Sequence, residues 1–223
     1  TLSGGILTAP TEYIGASGTG TLTQNATTST NQATNIYVGY ASGSSGTYSL
    51  SAGILTAPTE YIGNSGKGTF TQGAGTSQNQ ADNIYVGYAS GSSGTYTQQG
   101  GTTTVGTALY VGYDTGSVGS YALSGIGRLT TPAEYIGYYG TGTFTQTGGT
   151  NIITTLGIGA ATGGSGTFTQ SGGSVTVTNA IAAPVGTSTL NIDGGTFTLT
   201  ANSMAVTNFN IGNSSGSNVT YTQ

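Results

Sequence analysis

The sequence has no cysteine, no histidine and no tryptophan, and its 223 residues include only two basic and six acidic side chains. Without cysteine there are no disulfide bridges, and without cysteine or histidine the usual zinc ligands are missing. Two cations cannot neutralise a row of phosphates, which excludes a nucleic-acid partner. No apolar run approaches the roughly 20 residues of a membrane-spanning helix. We therefore expect no cofactor, no nucleic acid and no membrane insertion.

What the sequence does contain is glycine, aromatic residues and β-branched residues. There are 42 glycine, 15 tyrosine and 5 phenylalanine residues. Disordered segments are poor in aromatic and β-branched residues, so the low charge does not indicate disorder. The composition predicts short strands separated by glycine-rich turns.

One long stretch of the chain is duplicated. Residues 3–46 recur at residues 51–94, and the two copies are identical at 36 of 44 positions. Each copy divides into two related halves, so the 48-residue unit contains two shorter repeats. Residues 95–223 carry the same motifs in diverged form. We therefore expect a single domain, residues 1–223, built from one kind of repeat.

A tyrosine-containing motif that ends in glycine sets the length of the repeat. The closing glycines are Gly15, Gly39, Gly63, Gly87, Gly112, Gly137 and Gly159. They are spaced 22 to 25 residues apart. Gly212 lies 53 residues beyond Gly159, about two more periods. One repeat is therefore about 24 residues long.

A second motif, usually an aromatic residue between two threonines, recurs with the same period. It is followed by a glycine-rich corner and a variable stretch such as residues 102–105. Each repeat thus consists of three short strands, which we call the T-x-T, variable and Y-x-G segments. We assign Phe70, Phe197 and Tyr221 to the centres of T-x-T segments. The pattern predicts an all-β fold, a parallel β-solenoid (β-helix) of about nine rungs stacked about 4.8 Å apart.

Stacking turns each repeat position into a column of side chains along the solenoid. Ile14 and its equivalents are Ile or Val throughout, so we expect this column and the column of Phe70 to point inward. Two residues after the aromatic position, the column alternates between glutamine and leucine, as in Gln24, Leu50 and Gln72. We expect this column to be half-buried, with neighbouring amides hydrogen-bonded to one another along the axis.

Strand alternation predicts two outward sets of side chains. The first is a tyrosine ladder, which offers rings to sugars or to a neighbouring rod unless strand twist turns the rings partly inward. Its members are Tyr13, Tyr37, Tyr61, Tyr85, Tyr110 and Tyr135. The second is a pair of threonine rows that resemble the surfaces of ice-binding proteins, with interruptions at Ser49 and Ala122. The rows contain Thr21, Thr23, Thr69, Thr71, Thr95, Thr97, Thr143, Thr145, Thr167 and Thr169.

Three glutamates, Glu12, Glu60 and Glu134, occupy one repeat position, each two residues after a proline. Two rungs separate Glu12 from Glu60, about 9.6 Å, which is near the carboxylate spacing of inverting glycosidases. Carboxylates in a repeat are copied with the scaffold, however, and no histidine accompanies them. We interpret them as solvated carboxylates beside a turn, and we expect that the chain is not an enzyme.

The run from Gly164 to Val177, GSGTFTQSGGSVTV, resembles the repeats of bacterial secreted β-helix proteins. These are the autotransporter-passenger-like and PEP-CTERM-type surface proteins, especially those of planctomycetes and their relatives. The resemblance extends over nearly the whole chain. It implies a β-helix that is exported and remains extracellular or at the cell surface.

The two ends of the chain are incomplete rungs. Thr1 and Leu2 precede the first glycine corner, Tyr221 and Gln223 close the chain, and the repeat alignment puts Leu2 and Gln223 in one column. Solenoid ends without polar caps expose strand edges. The sequence therefore favours a structural extracellular protein that assembles head to tail with itself into a filament. A segment of a longer solenoid, an adhesin that binds surface polysaccharide through the tyrosine ladder, and an ice-binding solenoid are the alternatives.

Overall fold

The computed structural model of the chain describes residues 1–73, 75–182, 184–200, 203–213 and 218–223. Within these residues it contains eighteen β-strands and no helix. The strands are β1 (Gly5–Ile14), β2 (Thr19–Gln24), β3 (Ser29–Val38), β4 (Ser45–Leu50), β5 (Ile54–Thr56), β6 (Thr59–Ile62), β7 (Lys67–Gln72), β8 (Gln78–Val86), β9 (Ser93–Gln98), β10 (Thr102–Val111), β11 (Val118–Leu123), β12 (Arg128–Ile136), β13 (Thr141–Gln146), β14 (Thr150–Ile158), β15 (Ser165–Ala182), β16 (Thr187–Leu199), β17 (Asn208–Ile211) and β18 (Asn218–Thr222). They stack in parallel as a solenoid of about nine turns, which confirms the predicted fold.

Most turns contain a long strand and a short strand. In the second turn the long strand β3 carries the variable and Y-x-G segments, and the short strand β4 carries the T-x-T segment. In the third turn the long strand is divided into β5 and β6 around Pro58, whereas β1 and β12 continue through Pro10 and Pro132. The three predicted segments are therefore present, but two of them usually form one strand.

Two inward columns form the core, as predicted. Val38 pairs in register with Ile14 on one side and Ile62 on the other, and both Val38 and Ile62 are fully buried. The rings of the aromatic column are also buried and lie 4.5–5.0 Å apart from Tyr48 to Phe168. The parallel strands enclose the interior of the solenoid, so their apolar faces cover one another.

The glycine that closes each Y-x-G segment is required by the corner. Gly39 has a φ of +76°, a conformation that residues with a Cβ rarely adopt. A Cβ at this position would lie 2.0 Å from the carbonyl oxygen of Lys67 in the next turn. The repeated glycine therefore reflects both the backbone conformation and the close approach of neighbouring rungs.

The last rungs do not follow the predicted phase. Phe197 pairs with Val175, and Tyr221 pairs with Phe197, so both belong to the variable segment rather than to the T-x-T segment. Ile211 pairs with Ile192 in the T-x-T segment, so Gly212 does not close a Y-x-G segment. The prediction was wrong because a threonine–apolar–threonine alternation fits either segment equally well.

Candidate functional site

The tyrosine ladder lies on the outer face of the Y-x-G segments. Neighbouring rings from Tyr13 to Tyr135 stack at 4.7–5.2 Å with interplanar angles of 1–20°. Tyr13, in the first turn, is 51% exposed, and the ladder rings after it are half-buried. Strand alternation explains this position, because each tyrosine precedes an inward Ile or Val by one residue.

A second tyrosine column, which the sequence analysis missed, packs against the first. Its members follow the corner glycine by one residue and are Tyr40, Tyr88, Tyr113 and Tyr138, with Tyr139 beside the last. Rings of the two columns meet edge to face at 4.7–5.5 Å. The recurrence of tyrosine after the motif glycine was the available signal. We call the two columns together the tyrosine face.

Mutual packing determines what the tyrosine face presents to a partner. Each ladder ring from Tyr37 to Tyr110 lies between two stacked neighbours of the ladder and meets a ring of the second column edge to face. Its two flat faces are therefore largely covered. Burial, and next the neighbouring phenols, raise the pKa of Tyr85 to about 12, which keeps this hydroxyl protonated and neutral. The face therefore presents ring edges and phenol hydroxyls, and its most exposed rings are those of Tyr13, Tyr139 and Tyr40.

The threonine rows also lie outside, on the short strands. Thr69 pairs in register with Thr95, and Thr71 pairs with Thr97. The rows are interrupted at Ser49, Ser120 and Ala122, and the threonines are half-buried or exposed. These positions agree with the predicted outward rows, and ice binding stays a prediction.

The two end faces of the described solenoid have free strand edges. In the described part of the chain, β1 and β2 pair on one side only, with β3 and β4, apart from a bridge between Leu2 and Gln24. At the other end, within the described residues, β17 and β18 pair only with β16. Ile211, on this last face, is 48% exposed.

The expected common column of Leu2 and Gln223 is not found. Leu2 bridges to Gln24 in the T-x-T segment, whereas Tyr221 and Thr222, next to Gln223, pair with β16 in the variable segment. The alignment was wrong because it placed the last rungs one segment out of phase. Thr1, Leu2, Tyr221 and Gln223 nevertheless lie at the end faces, where they were predicted.

The three glutamates are buried, which corrects their interpretation as solvated carboxylates. Glu60 and Glu134 are fully buried, and Glu12 is 9% exposed. Glu60 lies two residues before the inward Ile62, so strand parity puts both side chains on the same inner face. In its column Glu60 lies between Ile36 and Ile84. The carboxyl groups of Glu60 and Glu134 are therefore closed off from the solvent.

An asparagine from the next turn accompanies each buried glutamate. The Nδ2 of Asn31, Asn79 and Asn151 donates a hydrogen bond of 3.0–3.1 Å to the preceding glutamate. Burial raises the pKa of Glu60 and of Glu134 to about 8 despite this hydrogen bond, and it also raises the pKa of Glu12.

The glutamine column is fully buried, and its amides do not form the predicted ladder. Gln24 Nε2 donates to the backbone carbonyls of Ser29 and Ile54. The hydroxyl of Tyr48, one turn on, donates to Gln24 Oε1 at 2.7 Å. Even where two glutamines are neighbours, as Gln72 and Gln98 are, their amides do not bind each other. The Nε2 atoms donate to backbone carbonyls, and the Oε1 atoms of Gln24, Gln72 and Gln98 accept from a tyrosine of the next turn.

A shallow groove beside the β5–β6 break is lined by Pro58, Asp82 and Gly106, and it contains no cluster of titratable groups. Among the residues described, no three acidic, histidine or cysteine side chains come together as metal ligands. No helix among them is long and apolar enough to span a membrane.

Comparisons with protein-family models, with curated proteins and with solved structures found no match. The likeness of the repeats to bacterial secreted β-helix proteins therefore stays a prediction from their sequence.

Proposed function

We propose that the chain is a structural extracellular protein whose rungs stack head to tail on those of a second copy, forming a filament at the cell surface or in its matrix. The observation that carries the proposal is the pair of open end faces, each with unpaired strand edges. Such edges readily pair with another strand. Export is supported by the resemblance of residues 164–177 to secreted β-helix repeats.

The side chains on the two end faces match column by column. The aromatic column begins at Leu22 and ends at Phe209, and the glutamine column begins at Leu2 and ends at Ile211. All four are apolar and incompletely buried, and placing Ile211 of one copy against Leu2 of the next would remove apolar surface of both end faces from water. A head-to-tail contact leaves one face of each kind free, so the assembly continues to grow. Further rungs of a longer chain would occupy the same edges.

Electron microscopy of purified chain 1–223 tests the proposal. We expect filaments that lengthen with concentration, and we expect Leu22→Lys together with Ile211→Lys to leave short rods, because charges protect strand edges. The matched control is Ile126→Lys, since Ile126 is 76% exposed and lies between β11 and β12, away from either end; it should still form filaments. Monodisperse short rods of the unmodified chain at high concentration would contradict the proposal and favour a segment of a longer solenoid.

A second candidate is polysaccharide binding by the tyrosine face. Its support is the row of neutral phenol hydroxyls, which repeats with the rungs and can bind sugar hydroxyls along an extended chain. Tyr88→Phe with Tyr113→Phe removes two hydroxyls and keeps the rings. Co-sedimentation with insoluble polysaccharides should then weaken, whereas Tyr→Phe variants with undiminished retention would exclude recognition through the hydroxyls.

A further inference from the structure

The buried glutamates and asparagines occur as fixed pairs across neighbouring turns. Wherever the inner position of a Y-x-G segment is glutamate, the inner position of the next variable segment is asparagine. The three pairs are Glu12 with Asn31, Glu60 with Asn79, and Glu134 with Asn151.

Turns without the glutamate also lack the asparagine. Ile36 is followed by Leu55, and Leu109 is followed by Leu129. The other successions are Ile84 with Thr103, Leu156 with Val175, Ile181 with Phe197 and Met204 with Tyr221. A repeat therefore contains either both the glutamate and the asparagine or neither of them.

Each pair leaves the same two oxygen atoms without a partner. Glu60 Oε1 and Asn79 Oδ1 are buried and have no hydrogen-bond partner among the described residues, and the same is true of the other two pairs. Two acceptors in one pair cannot satisfy each other. A protonated carboxyl group carries one O–H donor, and that donor would satisfy both atoms at once.

We propose that Glu12, Glu60 and Glu134 are neutral carboxylic acids in the folded protein, each joined to its asparagine by two hydrogen bonds. In each pair the asparagine N–H donates to one carboxyl oxygen, and the O–H on the other carboxyl oxygen donates to the asparagine carbonyl. The pairs let polar side chains occupy columns of leucine and isoleucine without burying a charge, which would be far more costly.

The groups that face the pairs are also neutral. Tyr48 lies against Asn31 at 3.0 Å, and Tyr96 lies against Asn79 at 3.1 Å. Burial raises the pKa of Tyr48, Tyr96 and Tyr121, so these phenols keep their protons. The two cationic side chains, Lys67 and Arg128, are exposed and do not offset a charge in the core.

Folding must then take up protons at neutral pH, which makes the solenoid pH-sensitive. The pKa of Glu60 and of Glu134 is about 8 in the folded protein, against an ordinary value of 4.5. The folded state therefore binds more protons than the unfolded state between these values, and stability falls as pH rises through this window. At each site the folding equilibrium constant falls by up to about tenfold per pH unit there, and it is constant below about pH 4.

Unfolding by urea, followed from pH 4 to 9, tests the pairs. Glu60→Gln keeps two hydrogen bonds to Asn79 without a titrating proton. The fall of its folding equilibrium constant with rising pH should therefore be less steep than that of the unmodified chain, by a factor of up to about ten per pH unit. Asp82→Asn, which alters an exposed carboxylate, should leave the dependence in the window of pH 5 to 8 unchanged. Equal pH dependence of the unmodified chain and Glu60→Gln would overturn the proposal for this site.

Infrared spectroscopy gives a readout on the unmodified protein, whether or not the variants fold. At pH 6 to 7 the folded chain should show the C=O stretch of a protonated carboxylic acid, shifted by 13C labelling of glutamate. A spectrum that contains only ionised glutamate in this range would overturn the proposal.

Discussion

At the scale of single residues, tyrosine and phenylalanine in the aromatic column are not interchangeable. A tyrosine follows a buried glutamine by one turn and donates its hydroxyl to the amide oxygen, as Tyr48 does to Gln24 and Tyr121 does to Gln98. After Leu50 and Leu123 the aromatic residue is Phe70 or Phe144. Hydroxyl and amide thus occur together in these turns.

Phe168 departs from this pattern and gives a test of it. It follows Gln146 by one turn, and the Oε1 of Gln146 is buried without a partner. We expect Phe168→Tyr to stabilise the chain by about 0.5–1.5 kcal/mol, the usual net value of a hydrogen bond. Urea denaturation measures the change in free energy of unfolding.

Phe144→Tyr is the matched control for this prediction. It would place the same hydroxyl next to Leu123, in the same column and one turn earlier. An unsatisfied buried hydroxyl costs about 1–3 kcal/mol, so this variant should be destabilised. Changes of the same sign in both variants would refute the explanation by hydrogen bonding.

At the scale of elements, the corners limit how closely the strands stack. Gly39 and Gly43 both have a positive φ, of 76° and 78°. A Cβ on Gly39 would meet the next turn at 2.0 Å, whereas a Cβ on Gly43 would have no neighbour within 4 Å. Gly43→Ala should cost about 1–2 kcal/mol from conformation alone, and Gly39→Ala should cost several kcal/mol more. Similar thermal unfolding of the two variants would show that the corner is not tightly packed.

The sequence was sufficient for the strands and insufficient for some of their contacts. A constant period and a uniform Ile or Val position predicted the solenoid and the core columns, because identical rungs can stack only in register. Strand parity also puts Glu60 on the face of Ile62, whereas the hydrophilic character of glutamate favours a solvated position. The Glu–Asn and Tyr–Gln pairs join different turns, so their 17- to 24-residue spacings can be interpreted only once the register of the rungs is known.

At the scale of the whole molecule, a solenoid is a one-dimensional stack in which each rung is held by its neighbours. Rungs in the middle have two neighbours and carry fully buried columns, such as Tyr96 between Phe70 and Tyr121. The last described strands are short, and Phe209 and Tyr221 are only partly buried. Stability should therefore decline from the middle towards both ends.

Hydrogen exchange measured by mass spectrometry tests this gradient together with the proposed stacking. In dilute solution, amides of β17 and β18 should exchange fastest and those of β9 to β11 slowest, because local opening is easiest where few apolar contacts hold a strand. If copies stack end to end, raising the protein concentration should slow exchange in β1, β2, β17 and β18 and leave β9 to β11 unchanged. Ends that are as protected as the middle in dilute monomer would contradict the gradient, whereas concentration-independent exchange at the ends would count against stacking alone.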